Sequence, residues 1–146
     1  MTIGLNVFEL LTPKSSVTFI LDNSTVRQAL EKIVYHKYTV VPVLNSNGEY
    51  VGSISEGDIL RYLLAKNEMD KEACESLLIK DIDTYRSYAP VKVDASFDEI
   101  YEASLNQNFI PIIDDRNVFI GIIRRKEVVS YIKKLVDEYK NVLKNK

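Results

Sequence analysis

Apolar residues form short runs that occur twice along the chain in the same order. An apolar run at 40–44 is followed by turn residues at 45–48 and by a second apolar run at 50–54. Runs of this length, rich in β-branched residues and separated by turn residues, predict a β-hairpin. The same order recurs at 110–123. The chain is therefore predicted to contain two copies of one structural unit.

Fixed spacing supports the duplication. Three pairs of residues stand 69 positions apart: Pro42 and Pro111, Gly52 and Gly121, and Asp58 and Glu127. A short strand and a helical pattern precede each hairpin, and a second helical pattern follows it, so each copy reads strand, helix, strand, strand, helix. The predicted segments are a first repeat at 8–66, a connecting helix at 67–79, a second repeat at 80–135 and a C-terminal helical extension at 136–146. Because one unit of this size buries little surface, the two sheets should share a core.

Serine residues mark the predicted helix starts. Ser96 stands three residues before Glu99, which is the spacing of a capping box. Ser24 and Ser55 are the predicted caps of the two helices of the first copy. The remaining expectations are a leading helix at 5–11, lead-in strands at 17–20 and 91–93, and a first helix about three residues shorter in the second copy.

Composition excludes several classes of function. The 146-residue chain has a net charge of −2 with scattered basic residues, so the electrostatic footprint of a nucleic-acid-binding protein is missing. Cys74 and His36 are the only residues of their types, which leaves no metal-ligand set and no evident catalytic constellation. We expect neither an enzyme nor a bound metal or cofactor. Without a secretory signal or a membrane-spanning apolar run, a cytoplasmic protein with no membrane contact is expected.

Two helix starts contain candidate anion-binding residues. At the first, the Ser55 hydroxyl and the orphan backbone donors of the helix suit an anion, and the Asp58 carboxylate suits a diol, although the same pair is also an ordinary helix cap. At the second, Arg124, Arg125 and Lys126 are consecutive. Each cation at a helix N-terminus costs about 0.3–1 kcal/mol unless something compensates its charge. A phosphate could do so, and Glu127 or solvent are the alternatives.

These features resemble a tandem pair of cystathionine-β-synthase (CBS) domains. The resemblance covers 8–135, and its sharpest motif is Gly52-x-x-Ser55-x-x-Asp58. It implies an α/β fold of two β-α-β-β-α repeats packed with pseudo-twofold symmetry, plus terminal helices. It also implies that Ser55 contacts a ligand phosphate and that Asp58 binds ribose hydroxyls. The backbone just before the proline of each central strand is implied to contact the edge of an adenine. The implied adenine-reading residues are Tyr38, Thr39, Val40 and Phe109.

In the second copy, Arg124 replaces the Ser or Thr of the CBS signature and Glu127 replaces its Asp. A narrower resemblance is to small stand-alone bacterial sensors of cyclic di-AMP of this length, whose second signature reads Gly-apolar-apolar-x-Arg-Arg-Glu, similar to the segment from Gly121 to Glu127. It implies contacts from Val17 and Thr18, stacking on Tyr38, and phosphate binding by Arg125 with Lys126. The chain departs from these sensors in three ways. Its front strand lacks their usual lysine and small residue, Lys126 stands where they usually have arginine, and it retains Asp58, which they often lose. AMP, ADP or ATP therefore stays open as the ligand.

The expected function is regulation by an adenine nucleotide bound between the repeats and sensed by a protein partner. The alternative is a ligand-free interaction or dimerisation module. The last helix continues an apolar stripe beyond the second sheet, which either the leading helix at 5–11 or a second copy of the chain should cover, and a homodimer is expected. That stripe comprises Val128, Val129, Ile132, Leu135, Val136, Tyr139, Val142 and Leu143.

Overall fold

The structure is a computed structural model that describes residues 6–67, 70–82 and 88–145. The described chain begins with helix α1 (Val7–Leu10), strand β1 (Thr12–Pro13) and a 3₁₀ helix (Lys14–Ser16). Leu5, in the predicted leading helix, lies outside the described residues. So do residues 68 and 69 of the predicted connecting helix and residue 146 of the predicted extension.

The first repeat has the predicted order of elements. These are β2 (Ile20–Leu21), α2 (Val26–His36), β3 (Val40–Leu44), β4 (Tyr50–Ser55) and α3 (Glu56–Lys66). Strand β3 lies between a parallel β2 and an antiparallel β4. The predicted cap Ser24 is wrong by one residue, because the Thr25 hydroxyl accepts from the Gln28 amide at 3.1 Å while the Gln28 side chain accepts from the Thr25 amide at 2.9 Å. Such a reciprocal pair satisfies two of the orphan donors of α2.

The segment between the repeats contains less helix than predicted. Helix α4 (Lys71–Ser76) is followed by a 3₁₀ helix (Ile79–Asp81). The chain leaves the helix because its backbone bonds to the start of α2 instead: the Val26 amide donates to the Leu77 carbonyl at 2.8 Å, and the Ile79 amide donates to the Ser24 carbonyl at 2.9 Å.

The second repeat copies the first. It contains β5 (Val91–Lys92), α5 (Phe97–Ser104), β6 (Phe109–Ile113), β7 (Phe119–Arg124) and α6 (Arg125–Lys144). Ser96 caps α5, as predicted, by accepting from the Glu99 amide at 3.3 Å. Helix α5 has 8 residues and α2 has 11, which confirms the expected difference. Together with the matching sheets, these observations confirm the predicted fold class.

Strand β2 begins three residues later than expected. The Val17 amide closes the preceding 3₁₀ turn by donating to the Lys14 carbonyl at 3.1 Å, so it is not available to a sheet ladder. Pairing with β3 starts at Ile20, which lies opposite Val43. The residues between this turn and β2 are thus free to line a surface beside the sheet.

Strand β1 joins the sheet of the second repeat, which has the order β1-β7-β6-β5. Pro13 lies opposite Gly121 in this pairing. A β-carbon at Gly121 would stand 2.2 Å from the Thr12 carbonyl oxygen, and the residue has a φ of +156°. The close approach of the two strands therefore requires glycine at this position.

The two sheets share a hydrophobic cluster, as expected for small units. This inter-repeat core comprises Val40, Leu44, Tyr50, Tyr88, Phe109, Ile113, Phe119 and Ile122. The two hairpins also bond to each other, since the Tyr50 amide donates to the Asn117 carbonyl at 3.1 Å and the Phe119 amide donates to the Gly48 carbonyl at 3.0 Å. Each repeat has a further cluster of its own, which lies between its sheet and its helices.

Candidate functional site

A pocket of about 550 Å³ lies between the repeats, where the two central strands meet. This inter-repeat pocket is lined by Val17, Thr18, Tyr38, Thr39, Val40, Val41, Pro42, Asn108, Phe109, Ile122, Arg124 and Lys126. Eight of the eleven predicted binding residues are in this set. Its volume is within the range of sites that enclose a small organic ligand.

One wall comes from the segments that enter the first sheet. Val17 and Thr18 line the pocket from the stretch between the 3₁₀ turn and β2. Tyr38 and Thr39 follow α2, whose C-cap residue Lys37 has a left-handed conformation with a φ of 58°. This residue terminates the helix and turns the chain into β3.

The Tyr38 ring is an accessible aromatic face at the pocket. Its residue is 40% exposed, and its ring is nearly parallel to that of His36, with ring centroids 5.5 Å apart and an interplanar angle of 14°. Offset stacking of this kind stabilises a ring in one orientation. The Tyr38 side chain can therefore offer a planar surface to a ligand.

The floor of the pocket is apolar and buried. Val40, Phe109 and Ile122 belong to the inter-repeat core and are 7–9% exposed. The strand register places Phe109 opposite Arg124. A rigid apolar floor thus lies directly beside a cation.

Arg124 and Lys126 supply the positive charge of the pocket. Arg124 is the last residue of β7 and precedes α6, with extended backbone angles (φ −77°, ψ 146°), whereas Arg125 is the first helical residue. This change of backbone conformation separates the directions of adjacent side chains. None of the twelve lining residues is acidic, so an anion would meet no carboxylate there.

Arg125 does not line the pocket, in contrast to the phosphate contact that the resemblance implied. Its Nε donates to the Ser104 carbonyl oxygen at 2.7 Å. The side chain lies in a second depression, the α5–α6 groove, lined by Tyr101, Ser104, Leu105, Arg125, Val128, Val129 and Ile132. Arg125 therefore joins two helices of the second repeat, and the pair of cations at the pocket is Arg124 with Lys126.

Ser55 and Asp58 form a helix cap outside the pocket lining. The Asp58 amide donates to the Ser55 hydroxyl at 3.2 Å, and the Ser55 amide donates to the Asp58 carboxylate at 2.9 Å. Arg61 donates to the other carboxylate oxygen at 2.6 Å, and Asp58 is only 3% exposed. The two residues thus form a reciprocal helix cap, and neither of them is among the residues that line the pocket.

Four lining residues were not predicted: Val41, Pro42, Asn108 and Ile122. The repeat itself contains the signal for Asn108, which stands 69 positions after Thr39. Applying the repeat spacing to every candidate in the first copy would have identified it. Ile122 could be found from the strand register, because it lies opposite Pro111.

Across 6–67, 70–82 and 88–145, no cluster of three or more His, Cys, Asp or Glu side chains is arranged to hold a metal ion. No helix in these same ranges has the length and apolar character needed to cross a membrane.

Comparison with known proteins gives one family. The model of the CBS domain matches residues 7–65 and 79–134. The crystal structure of CbpB in complex with c-di-AMP is 24% identical with a TM-score of 0.84, covering 94% of this chain and 90% of that chain. The crystal structure of CBSX2 in complex with AMP is 26% identical with a TM-score of 0.70, covering 90% and 98%.

A curated relative is considerably longer. Uncharacterized protein MJ1225 of Methanocaldococcus jannaschii is 27% identical over 145 residues, which cover 92% of this chain and 51% of that protein. The chain spans about half or less of the length of the curated relatives it matches.

Proposed function

Because this chain belongs to the CBS domain family, we propose that it is a regulatory protein that binds an adenine nucleotide in the inter-repeat pocket, with cyclic di-AMP as the ligand. One observation supports this most strongly: the pocket combines an apolar floor, an accessible tyrosine ring and two cations, with no acidic residue in its lining. These are the groups that a planar base attached to phosphate needs.

The base would occupy the side of the pocket formed by the first repeat. Tyr38 offers a stacking face that His36 supports from within the same segment. The backbone at Thr39 and Val40 offers polar groups at the edge of the base, as the resemblance implied. Val40 and Phe109 supply the apolar contact beneath it.

The phosphates would lie on the side formed by the second repeat. Arg124 presents a planar guanidinium that can bind phosphate oxygens bidentately, and Lys126 adds a mobile point charge. The N-terminus of α6 contributes partial positive charge at the same place. Two cations match the two phosphodiester charges of cyclic di-AMP.

AMP, ADP and ATP are the alternative ligands within this proposal. A free ribose diol is best recognised by a carboxylate, but the Asp58 carboxylate is bonded to the Ser55 amide and to Arg61, outside the pocket lining. This arrangement favours a ligand whose ribose 3′-oxygens are esterified. The likeness to CBSX2 in complex with AMP keeps the mononucleotides in the test.

A ligand panel tests the proposal. Melting temperature and calorimetry should be measured with cyclic di-AMP, AMP, ATP and, as a control for the base, cyclic di-GMP. A ligand present at 100 times its Kd adds about 2.7 kcal/mol to stability. We expect cyclic di-AMP to give the largest shift. No shift with any adenine nucleotide would overturn the proposal and favour the ligand-free interaction module.

A matched pair of variants locates the effect at the aromatic face. Tyr38→Ala should weaken binding by about 1–3 kcal/mol, the value of stacking a base on an aromatic side chain. Tyr35→Ala is the control, because Tyr35 is 81% exposed on the neighbouring helix and does not line the pocket. Equal losses in both variants would contradict a stacking role for Tyr38.

The chain would act by assembly and not by catalysis. In this proposal it is a cytoplasmic homodimer whose ligand-bound state differs in affinity for a regulated protein. Helix α6 supports the dimer, since an apolar stripe on it is accessible: Val129, Val136, Tyr139, Val142 and Leu143 are 42–62% exposed. Light scattering tests this point, and Val136→Glu should convert the dimer to monomer. A monomeric wild-type protein at micromolar concentration would contradict the dimer.

A further inference from the structure

The repeat relation assigns a counterpart to each part of the inter-repeat pocket. Ile20 lies opposite Val43 and Val91 lies opposite Ile112, and these pairs occupy equivalent places in the two sheets. Val17 and Tyr88 each stand three residues before the equivalent strand positions. Tyr88 is therefore the counterpart of Val17, which lines the pocket.

The central strands extend this correspondence. Thr39 corresponds to Asn108 and Val40 to Phe109, because β3 and β6 have the same register with β4 and β7. By the same relation, the stacking candidate Tyr38 corresponds to Gln107. A second pocket related to the first would thus be bounded by Tyr88, Gln107, Asn108 and Phe109.

The Tyr88 side chain occupies that second position. It is 6% exposed, and its ring lies against Phe109 with centroids 4.9 Å apart at 64°. Its hydroxyl oxygen accepts from the Asn108 amide at 3.4 Å. The ring thus contacts the counterparts of Val40 and Thr39, two residues that line the open pocket.

Hydrogen bonds hold the backbone at Tyr88 in place. The Tyr88 carbonyl accepts from the Tyr50 hydroxyl at 2.8 Å, and the same hydroxyl lies 2.7 Å from the Ser53 hydroxyl. Ser53 is the counterpart of Ile122, a third lining residue. Protein atoms therefore also fill the second position on the side of Ser53, in addition to the side of Phe109.

Gln107 fixes the segment from the other side. Its side chain accepts from the Ala89 amide at 2.9 Å and donates to the Ala89 and Phe109 carbonyls, each at 3.2 Å. The residue is 8% exposed. Where the first pocket presents the accessible ring of Tyr38, the second position has an amide engaged with its own chain.

From these contacts we propose that Tyr88 is an internal plug that closes the second pocket, so that each chain binds a single ligand. The identity of that ligand rests on the proposed function, whereas the plug rests on the contacts of Tyr88 and Gln107. The counterparts of the cations Arg124 and Lys126 are Ser55 and Gly57. A pocket opened at the second position would therefore take a neutral purine nucleoside in preference to a phosphorylated one.

Three proteins test the plug by calorimetry with cyclic di-AMP and with adenosine. The wild-type protein should bind one cyclic di-AMP per chain. The double variant Tyr88→Ala/Gln107→Ala should gain one adenosine site per chain, and Tyr88→Phe with native Gln107 should not. Binding of two cyclic di-AMP molecules per wild-type chain would overturn the plug. So would a folded double variant with no added adenosine site.

The converse substitution keeps the test valid if the double variant does not fold. Val17→Tyr places the plug residue at the equivalent position of the open pocket and should weaken cyclic di-AMP binding at least tenfold. Val51→Tyr, the same change at a strand residue that is 39% exposed and outside the pocket lining, should alter it less than threefold. Unchanged affinity in Val17→Tyr would contradict the plug. A wild-type protein that binds no adenine nucleotide, together with a double variant that gains adenosine, would overturn the proposed function and support the plug.

Discussion

The three consecutive cations at the start of α6 allow a controlled test of the phosphate site. Arg124→Gln, Arg125→Gln and Lys126→Gln each remove one positive charge within three adjacent positions. Arg124 and Lys126 line the inter-repeat pocket, whereas the Arg125 Nε is bonded to the Ser104 carbonyl in the α5–α6 groove. The same chemical change is thus made inside and outside the proposed site.

The expected magnitudes differ by more than the error of a binding measurement. A hydrogen bond to a charged group contributes about 1.5–3 kcal/mol, so losing Arg124 or Lys126 should weaken binding roughly 10-fold to 150-fold. A cation about 10 Å from a phosphate in water contributes only about 0.4 kcal/mol before salt screening. Arg125→Gln should therefore change affinity no more than about twofold. It should instead lower the free energy of unfolding by about 1.5–3 kcal/mol, because the hydrogen bond that it loses is donated by a charged guanidinium.

Calorimetry with cyclic di-AMP at low and moderate salt, combined with urea unfolding of the same variants, measures both quantities. The Arg124 and Lys126 variants should also show a weaker salt dependence of binding than the wild-type protein. The reasoning would be refuted if folded Arg125→Gln lost as much affinity as Lys126→Gln. Unaltered affinity in both pocket variants would refute it equally.

Two further predictions concern the residues that build the frame of the pocket. Gly121→Ala should lower the free energy of unfolding by about 2–3 kcal/mol, because its β-carbon would meet the Thr12 carbonyl oxygen at 2.2 Å. In its control Gly57→Ala, the nearest neighbour of the new β-carbon would be the Arg61 guanidinium at 3.3 Å, the end of an exposed side chain that can shift, so stability in urea unfolding should stay unchanged or rise by about 0.5–1 kcal/mol; equal losses would contradict the close approach of β1. Asp58→Asn should cost about 1–2 kcal/mol of stability with less than a threefold change in nucleotide affinity, since its carboxylate serves the cap and Arg61. A large loss of affinity in the folded variant, measured by calorimetry, would show instead that Asp58 belongs to the site.

Much of the fold follows from the sequence because its main signals are local. The strands β3, β4, β6 and β7 are short apolar runs between turn residues, and their order is repeated. The sequence predicts the cap of α2 one residue too early, at Ser24 instead of Thr25, because both residues can accept a hydrogen bond and only the reciprocal contact with Gln28 distinguishes them. The connecting helix was predicted too long because backbone bonds to a distant segment replace its helical ones.

The site was predicted less completely because side-chain direction depends on where an element ends. The resemblance to cyclic di-AMP sensors implied a phosphate contact from Arg125 with Lys126, but β7 ends at Arg124, and the side chain of the first helical residue, Arg125, bonds to a neighbouring helix. Tyr88 had no distinguishing signal, since a tyrosine in a short strand region is usually a packing residue. Its significance depends on the register that relates it to Val17.

The most direct test of the central claim is the location of the bound nucleotide. Methyl-group NMR during titration with cyclic di-AMP distinguishes binding in the inter-repeat pocket from binding in the α5–α6 groove. The account predicts the largest shifts at Val17, Val40 and Ile122, which line the inter-repeat pocket, and little change at Val129 and Ile132 in the α5–α6 groove. Shifts confined to Val129 and Ile132, or no shifts at saturating ligand, would contradict it.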